Sequence, residues 1–402
     1  MLMEKIRQQP KILFHFIATV ALYLTGGALF SGCTPEGDLP PTPISYVTLI
    51  YMAADNSTDI DVDSTINKIK EGAKKSEGTT VIYLDRQKEP PRLFSISQKG
   101  DSTNLKTYQE ENSASTVTLM RVIRETKEMI PSDKFGLIFW SHSMGWVPYS
   151  QGASTSYIGI DETPADGESS MSVMEIDEIV TALPDHVAEY IWFDVCLMGG
   201  VESMYAFRNK ATYLVGSPTE VLLEAKYDAS GIPYAKVLPL LFGGKEELIS
   251  ACKLYYDHYN TLAYEILRSA SIVLVDAREL DGLYMETQKI LSGELPNVEV
   301  MDTEGIQTYH TKYIPQVFFD LGDFIQRFAT LEEYENFQNQ LSRTVIYKAA
   351  TPTFTVSQDN NFEIDPARFS GLSSYIPLKT WEITEAYRYY FEKLEWSGVY
   401  DN

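Results

Sequence analysis

Two short stretches decide the fold: FGLIFWSH at residues 135–142 and YIWFDVC at residues 190–196. Each begins with an almost entirely apolar run, and each ends in polar or reactive side chains. Such runs are typical of strands that are buried on both faces, as in a parallel sheet. Because ligands bind beyond the carboxyl ends of parallel strands, the residues that follow these runs, His142 and Cys196, are the first candidates for a functional site.

The same apolar pattern recurs along the chain and alternates with segments of helical period. Further strands are predicted at residues 45–53, 79–84, 211–215 and 271–275, with an antiparallel edge excursion at 91–98. Helices are predicted at residues 115–130, 173–183, 198–208 and 246–258. Strands that alternate with helices indicate an α/β fold whose mostly parallel sheet is covered on both faces.

After about residue 276 the alternation fades, which predicts a change of organisation. Helices are predicted at residues 318–328, 331–346 and 381–396, with one more strand at 372–376. We therefore divide the chain into a signal segment (1–33), a tether (34–44), an α/β core (45–276) and a smaller C-terminal helical subdomain (277–402).

The charge balance argues against one class of function. The chain of 402 residues has a formal net charge of −23, with 56 acidic against 33 basic side chains. Nucleic-acid-binding proteins need a basic face that neutralises phosphates, so nucleic acid is not an expected partner. A negative charge of this size suits a solvated extracellular protein, and solubility alone is the favoured interpretation over attraction of cationic substrates.

The N-terminal segment has the features of a targeting signal. Lys5, Arg7 and Lys11 precede an apolar run at residues 12–30, and small residues lead from it to Cys33. This arrangement resembles a bacterial lipoprotein signal, in which the peptide is cleaved before a cysteine that carries lipid. The alternative is a membrane-spanning anchor, for which the run is marginal in length. We expect lipid on Cys33 to hold the protein in the cell envelope, facing the periplasm or the exterior.

A histidine and a cysteine at two strand ends have a specific chemical meaning if the strands are neighbours. A free thiol has a pKa of about 8.5 and is mostly protonated at neutral pH. A nearby imidazole takes the proton, and backbone N–H groups stabilise the oxyanion of an attacked carbonyl. Taken alone, His142 is equally explained as a core histidine, and Cys196 is better explained as a small buried apolar residue. The pairing of the two strand-end patterns favours a catalytic interpretation.

The motifs around these residues resemble the clostripain family of caspase-like cysteine peptidases. The likeness lies in FWSHSMGW at residues 139–146, in FDVCLMGGVESMYAFRNKATYLVGSPTEV at 193–221 and in YMAADNSTD at 51–59. It implies a caspase-like three-layer sandwich and a catalytic dyad of His142 and Cys196.

The same resemblance implies further roles. Backbone N–H groups of Ser143 and Cys196 are the implied oxyanion donors, and Asp194 is the implied carboxylate that pairs with Arg or Lys before the scissile bond. The other interpretation of Asp194 is a structural cap or turn residue. Family members usually have glycine after the histidine, where this chain has Ser143. The expected partners are protein or peptide substrates with Arg or Lys, cleaved by a monomer without a cofactor.

Two other functions remain open from the sequence. Residues 141–145, SHSMG, resemble the nucleophile elbow of serine hydrolases, with Ser143 as nucleophile and His258 or His310 as base. The serine after His142 also permits a catalytically inactive, surface-anchored binding protein of the same fold.

Two remaining features have simpler interpretations. Asp55, Asp59, Asp61 and Asp63 could bind calcium through their oxygens, but a solvated helix start is the favoured interpretation, and no metal site is predicted. Cys252 lies in the predicted helix at 246–258 and is expected in the core.

Overall fold

The computed structural model describes residues 44–148, 157–163, 171–310, 316–357, 360–381 and 384–402. Cys33, the signal segment and all but the last residue of the predicted tether lie outside the described residues. Within the described ranges, none of the helices combines the length and the apolar composition that a membrane span requires.

The strands are given first and the helices second, both in chain order. The strands are β1 (Ile44–Ala54), β2 (Thr79–Arg86), β3 (Glu89–Ile96), β4 (Ser102–Thr107), β5 (Ser132–Trp140), β6 (Ile160–Asp161), β7 (Ser172–Val173), β8 (Ala188–Asp194), β9 (Ala211–Gly216), β10 (Leu223–Glu224), β11 (Ala229–Ser230), β12 (Ser271–Asp276), β13 (Phe319–Asp320), β14 (Val345–Ala350), β15 (Thr353–Ser357), β16 (Asn360–Glu363) and β17 (Ser373–Ser374). The helices are α1 (Asp59–Ala73), α2 (Thr116–Met129), α3 (Ile176–Ala182), α4 (Val201–Ala206), α5 (Tyr234–Val237), α6 (Lys245–Asn260), α7 (Leu280–Leu291), α8 (Leu295–Val298), α9 (Leu321–Gln326), α10 (Leu331–Thr344) and α11 (Glu385–Lys393).

Nine of the described strands form the main sheet, in the order β14-β12-β9-β8-β5-β1-β2-β3-β4. The central strands from β9 to β2 are parallel to one another. The outer strands β3, β4, β12 and β14 pair antiparallel. The predicted α/β fold with a mostly parallel central sheet is therefore confirmed, and the predicted edge excursion at residues 91–98 is β3.

Side chains alternate between the two faces of the sheet, so each face has its own core. On β1, Val47, Leu49 and Tyr51 belong to one apolar cluster, whereas Ile50 and Met52 belong to the other. Helices α2, α3, α4 and α7 contribute to the first cluster, and α1 and α6 to the second. This arrangement is a three-layer sandwich, as predicted. Cys252 of α6 is fully buried in the second cluster, which confirms its expected place in the core.

The region after residue 276 shares the sheet and the core with the region before it. Strand β14 pairs antiparallel with β12 at one edge of the main sheet. The predicted helix at 331–346 is therefore too long, because β-branched Val345 and Ile346 begin this strand, a conformation that such residues favour. The other C-terminal predictions were also too long: 318–328 contains β13 and α9, 372–376 contains β17, and 381–396 contains α11.

A buried carboxylate ties the C-terminal region to the segment that follows Cys196. Glu202 of α4 accepts hydrogen bonds from the backbone N–H of Tyr375 at 2.7 Å and from the hydroxyl of Ser374 at 3.3 Å. Glu202 is 1% exposed, and burial raises its pKa to about 7. The neighbouring Ser373 N–H donates to the carbonyl oxygen of Gly199 at 3.0 Å. The C-terminal region thus fixes the backbone just beyond the candidate nucleophile.

We predict that Glu202→Gln removes part of the pH dependence of stability. The pKa of this carboxyl in the folded state lies above its ordinary value of 4.5. Its contribution to stability is therefore fully present below about pH 4.5 and is lost as the pH rises through about 7. As the pH rises from about 4.5 to about 7, the wild type should lose about 3 kcal/mol of unfolding free energy that the variant does not lose. Denaturant titrations at several pH values measure this difference.

The matched control is Glu128→Gln, whose side chain is 66% exposed on α2. This variant should follow the wild-type pH profile. Parallel profiles of Glu202→Gln and wild type would contradict the role given to the buried carboxylate.

Candidate active site

Neighbouring strands bring His142 and Cys196 to one edge of the sheet. Strands β5 and β8 pair in parallel, with Trp140 beside Asp194. His142 follows Trp140 by two residues and Cys196 follows Asp194 by two, so the two side chains start from the same level at the carboxyl ends of the strands. Both residues are partly exposed. The adjacency on which the sequence argument depended is present.

Three contacts fix the loop that carries His142. The hydroxyl of Ser141 donates to the carbonyl oxygen of Ala53 at 2.6 Å, and the N–H of Gly159 donates to the carbonyl oxygen of His142 at 3.1 Å. The imidazole Nε2 lies 2.8 Å from the hydroxyl oxygen of Ser57. Burial lowers the pKa of His142. It therefore favours the neutral imidazole, the form that accepts a proton.

Cys196 lies on a sharp turn that segment 217–221 supports. The N–H of Val221 points to the sulfur at 3.3 Å, and the sulfur lies 3.7 Å from the carbonyl oxygen of the same residue. Leu197 has a φ of 61°, a left-handed conformation that non-glycine residues rarely adopt. Its N–H donates to the carbonyl oxygen of Thr219 at 3.0 Å, which helps to hold the turn.

The histidine loop and the cysteine loop contact each other at Gly145. This residue has a φ of +63°, and a Cβ at its position would lie 2.6 Å from the carbonyl oxygen of Leu197. Only glycine permits both the conformation and this approach. The relative placement of the two loops therefore depends on a residue without a side chain.

Ser143 occupies the position where the family usually has glycine. Its side chain is buried, and its hydroxyl oxygen accepts a hydrogen bond from the N–H of Gly145 at 3.0 Å. The described non-glycine residues with positive φ are Lys88, His186, Leu197 and Asp228. Because Ser143 is not among them, its backbone does not require the freedom of glycine, and the departure from the family pattern is accommodated.

The histidines proposed as bases for Ser143 make other contacts. His258 Nδ1 lies 3.1 Å from the Lys236 ammonium, and its Nε2 lies 2.7 Å from the carbonyl oxygen of Asp228. His310 is fully buried, with Nε2 at 3.4 Å from the carboxylate of Glu220. These contacts give the serine-hydrolase interpretation no geometric support.

Asp194 lies behind the site, with its carboxylate turned into the protein. It is 2% exposed and accepts hydrogen bonds from the N–H of Ile232 and the hydroxyl of Tyr234, both at 2.9 Å. Burial raises the pKa of Asp194 to about 7. A Cβ on Gly231 would lie 2.4 Å from one carboxylate oxygen. These contacts favour the structural role of Asp194, the second of its two interpretations.

The acidic residues considered for calcium do not converge. Asp59 and Asp63 both pair with Arg86, at 2.7 and 2.9 Å, whereas Asp61 and Asp55 accept hydrogen bonds from other segments. Asp55 and Asp61 are buried, so the interpretation as a solvated helix start is wrong for these two. Over the described residues, no group of three His, Cys, Asp or Glu side chains is arranged to hold a metal ion.

Sequence reasoning missed Ser57 and Val221 as neighbours of the site. Both lie within the motifs quoted above, but the signal that places Ser57 is the strand order. Strand β1 pairs directly with β5, so the loop after β1 lies beside the loop that carries His142.

A three-layer α/β sandwich with a cysteine and a histidine just beyond the ends of adjacent parallel strands is the arrangement expected of a caspase-like cysteine peptidase. The sequence model of the clostripain family, Peptidase C11, matches residues 50–400. The chain belongs to the clostripain family. It is a cysteine peptidase, and the family resemblance inferred from the motifs is confirmed.

Two solved structures show the same fold over nearly the whole chain. One is an inactive zymogen C11 protease from Parabacteroides distasonis, with 29% identity and a TM-score of 0.74, covering 90% of this chain and 100% of that one. The other is a secreted C11 cysteine protease from Bacteroides thetaiotaomicron in complex with an irreversible peptide inhibitor. It has 26% identity and a TM-score of 0.72, covering 88% of this chain and 98% of that one. No curated protein matches the chain.

We predict that Gly145→Ala separates the two loops. The added methyl meets the carbonyl of Leu197 in a backbone conformation that is already unfavourable for alanine. The free energy of unfolding should fall by about 2 to 4 kcal/mol, and peptide hydrolysis should fall with it. Denaturant titration and a fluorogenic assay measure the two effects.

Gly305→Ala is the matched control, because Gly305 also has positive φ, at +78°, but its Cβ would meet only the end of the Arg327 side chain at 3.5 Å. It should lose about 1 kcal/mol and keep its activity. Equal effects of the two substitutions would show that the contact between the loops is unimportant.

Proposed function

We propose that the chain is an endopeptidase in which Cys196 attacks the scissile carbonyl and His142 takes the thiol proton. The observation that carries this proposal is the register of β5 and β8, which sets the two residues at equal distances beyond paired positions. The partial exposure of Cys196 gives a substrate access to the sulfur. The lowered pKa of His142 keeps the ring ready to accept a proton at neutral pH.

The oxyanion of the tetrahedral intermediate is proposed to bind the backbone N–H groups of Ser143 and Cys196. Hydrogen bonds hold both turns in place. The N–H of Gly145 donates to the hydroxyl of Ser143, and the N–H of Leu197, next to Cys196, donates to the carbonyl oxygen of Thr219. Donors that are already oriented stabilise developing charge without further reorganisation.

We also propose cleavage after Arg or Lys, because two carboxylates, those of Asp194 and Glu224, lie near Cys196 in the chain or beside its contacts. Asp194 was the implied partner, but its carboxylate is 2% exposed and already accepts hydrogen bonds from Ile232 and Tyr234. Glu224 is a second candidate: it is exposed at the end of β10, three residues after Val221, which contacts the sulfur. Three residues span at most about 10 Å even when extended, a distance that a long basic side chain can largely bridge.

Attachment to a membrane through lipid on Cys33 is proposed from the sequence alone. The basic residues, the apolar run and the small residues before Cys33 support it. One acyl group gives only reversible binding, whereas two or more give stable anchoring. A peptidase tethered in this way would act on substrates at the surface of the cell envelope.

The second candidate function is an inactive binding protein of the same fold, which Ser143 suggested. The accommodated backbone of Ser143 weighs against it. Hydrolysis of peptides by the folded protein distinguishes the peptidase from the inactive binding protein.

We predict that the wild-type protein cleaves fluorogenic peptides with Arg or Lys before the scissile bond. Cys196→Ala should abolish cleavage, because no nucleophile remains. His142→Ala should lower kcat by about 10²- to 10⁴-fold, the range for loss of a general base. Cys252→Ala is the control, because this thiol is fully buried in the core and should not contribute to hydrolysis.

Hydrolysis that survives in Cys196→Ala would overturn the assignment of the nucleophile. A wild-type protein that cleaves nothing at neutral pH, with and without reductant and calcium, would favour the binding function.

The same substrates separate the two candidate specificity residues. Glu224→Gln should lower kcat/KM for Arg substrates by about tenfold or more relative to Gln substrates, since a neutral partner cannot form the ion pair. Asp194→Asn should mainly change stability. The reverse result, with selectivity lost only in Asp194→Asn, would return the specificity role to Asp194.

A further inference from the structure

Ser57 is the residue that contacts the ring of the proposed base. It lies in the loop between β1 and α1, and its hydroxyl oxygen is 2.8 Å from His142 Nε2. Within the described part of the chain, this is the hydrogen bond that the imidazole makes. The pKa of His142 is lowered by burial, with no contribution from a charged side chain. The orientation of the ring therefore depends on a neutral hydroxyl group.

The loop holds Ser57 in place although its side chain is exposed. Asn56, before it, is 1% exposed, and its amide donates to the carbonyl oxygens of Ala53 and Ile160, both at 2.9 Å. The amide oxygen of Asn56 accepts from the N–H and the hydroxyl of Thr58, at 2.9 and 2.7 Å. Ser57 is thus flanked by two buried residues that are bonded to each other. Its hydroxyl is presented to the imidazole by a preorganised backbone.

A general base needs one ring nitrogen free and the ring held still. In neutral imidazole one nitrogen carries the proton and the other accepts. The group that accepts a hydrogen bond from the protonated nitrogen selects the tautomer. It thereby decides which nitrogen is left to accept the proton of the thiol. A serine oxygen can accept from an N–H, and after proton transfer it also stabilises the charged ring.

We propose that Ser57 is a positioning residue, whose hydroxyl oxygen accepts the Nε2–H of His142 and leaves Nδ1 to take the proton of Cys196. This inference rests on the proposed function, because it assigns a partner to the base of that mechanism. When the thiol proton moves to Nδ1, the sulfur becomes a thiolate and the ring becomes an imidazolium that still donates through Nε2. The hydroxyl is therefore in contact with the base before and after the transfer.

A competing interpretation follows from the same contact. A serine bonded to a histidine is also the arrangement of a serine nucleophile with its base. In that case Ser57 would be acylated, and Cys196 would be a bystander. The two interpretations predict opposite labelling, since fluorophosphonates modify activated serines and iodoacetamide modifies thiolates.

The test compares Ser57→Ala with Ser57→Thr, which keeps the hydroxyl, and with Ser102→Ala, an exposed serine on the distant strand β4. The rate of alkylation of Cys196 by iodoacetamide is measured from about pH 5 to about pH 10, where thiols and imidazoles titrate. The modified peptide is identified by mass spectrometry. Values of kcat/KM for the Arg substrate are measured over the same range.

Ser57→Ala should lower kcat/KM about tenfold at neutral pH. Water can replace part of the lost contact at this exposed position, so the loss should not be complete. The acid limb of the alkylation profile should move to higher pH, because the charged ring that accompanies the thiolate has lost its acceptor. Ser57→Thr should restore both values to within about twofold, and Ser102→Ala should match wild type.

Two results would overturn the inference. One is an alkylation profile of Ser57→Ala that superimposes on that of wild type; loss of activity with such a profile would indicate a merely structural role. The other is labelling of Ser57 by a fluorophosphonate. If Ser57→Ala behaves as wild type while Cys196→Ala and His142→Ala are inactive, only the inference about Ser57 fails. If the wild-type protein hydrolyses nothing, the peptidase proposal fails, and the alkylation profile still decides the role of Ser57.

Discussion

The parallel pairing of β5 with β8 is the constraint on which the site depends. Backbone hydrogen bonds fix Trp140 beside Asp194, and the chain then needs only two residues after each strand to reach His142 and Cys196. A slip of one residue would turn the following side chains to the opposite face of the sheet. Close packing of the side chains of both strands in two separate cores opposes such a slip. The position of the reactive pair is thus set by burial far more than by local interactions of the pair itself.

Beyond the strand ends, several segments hold the two loops in place. Val221 contacts the sulfur, Thr219 holds the turn after it, and Gly145 lets the histidine loop approach Leu197. The C-terminal region contributes through Ser374 and Tyr375, which donate hydrogen bonds to Glu202 of α4. The two loops at the strand ends are therefore supported from three directions.

The continuous apolar runs predicted the central strands well, because a strand buried on both faces leaves a signal in its own residues. Boundaries were less accurate where a local signal competed with a tertiary one. The predicted helix at 198–208 begins only at Val201, because Gly199 and Gly200 form the turn that packs against Ser217 and Ser373. The helix predicted to reach residue 346 ends at Thr344, because β14 adds to the edge of the sheet.

The strand-end residues His142 and Cys196 could be found from the sequence, whereas their supporting partners could not. Ser57 lies 85 positions from His142, and the groups that bind Asp194 lie 38 and 40 positions away. Such contacts are created by strand order and leave no periodic pattern. For the same reason the burial of Asp194 became visible only in three dimensions.

The central claim is that a thiol and an imidazole share one cleft at the ends of these strands. Its most direct test is a crystal structure of the protein after reaction with an arginyl chloromethyl ketone. The account predicts a covalent bond from the inhibitor to Cys196 Sγ, with the imidazole of His142 within hydrogen-bonding distance of the reacted group. A bond to any other residue, or a His142 ring that lies away from the modified sulfur, would contradict it.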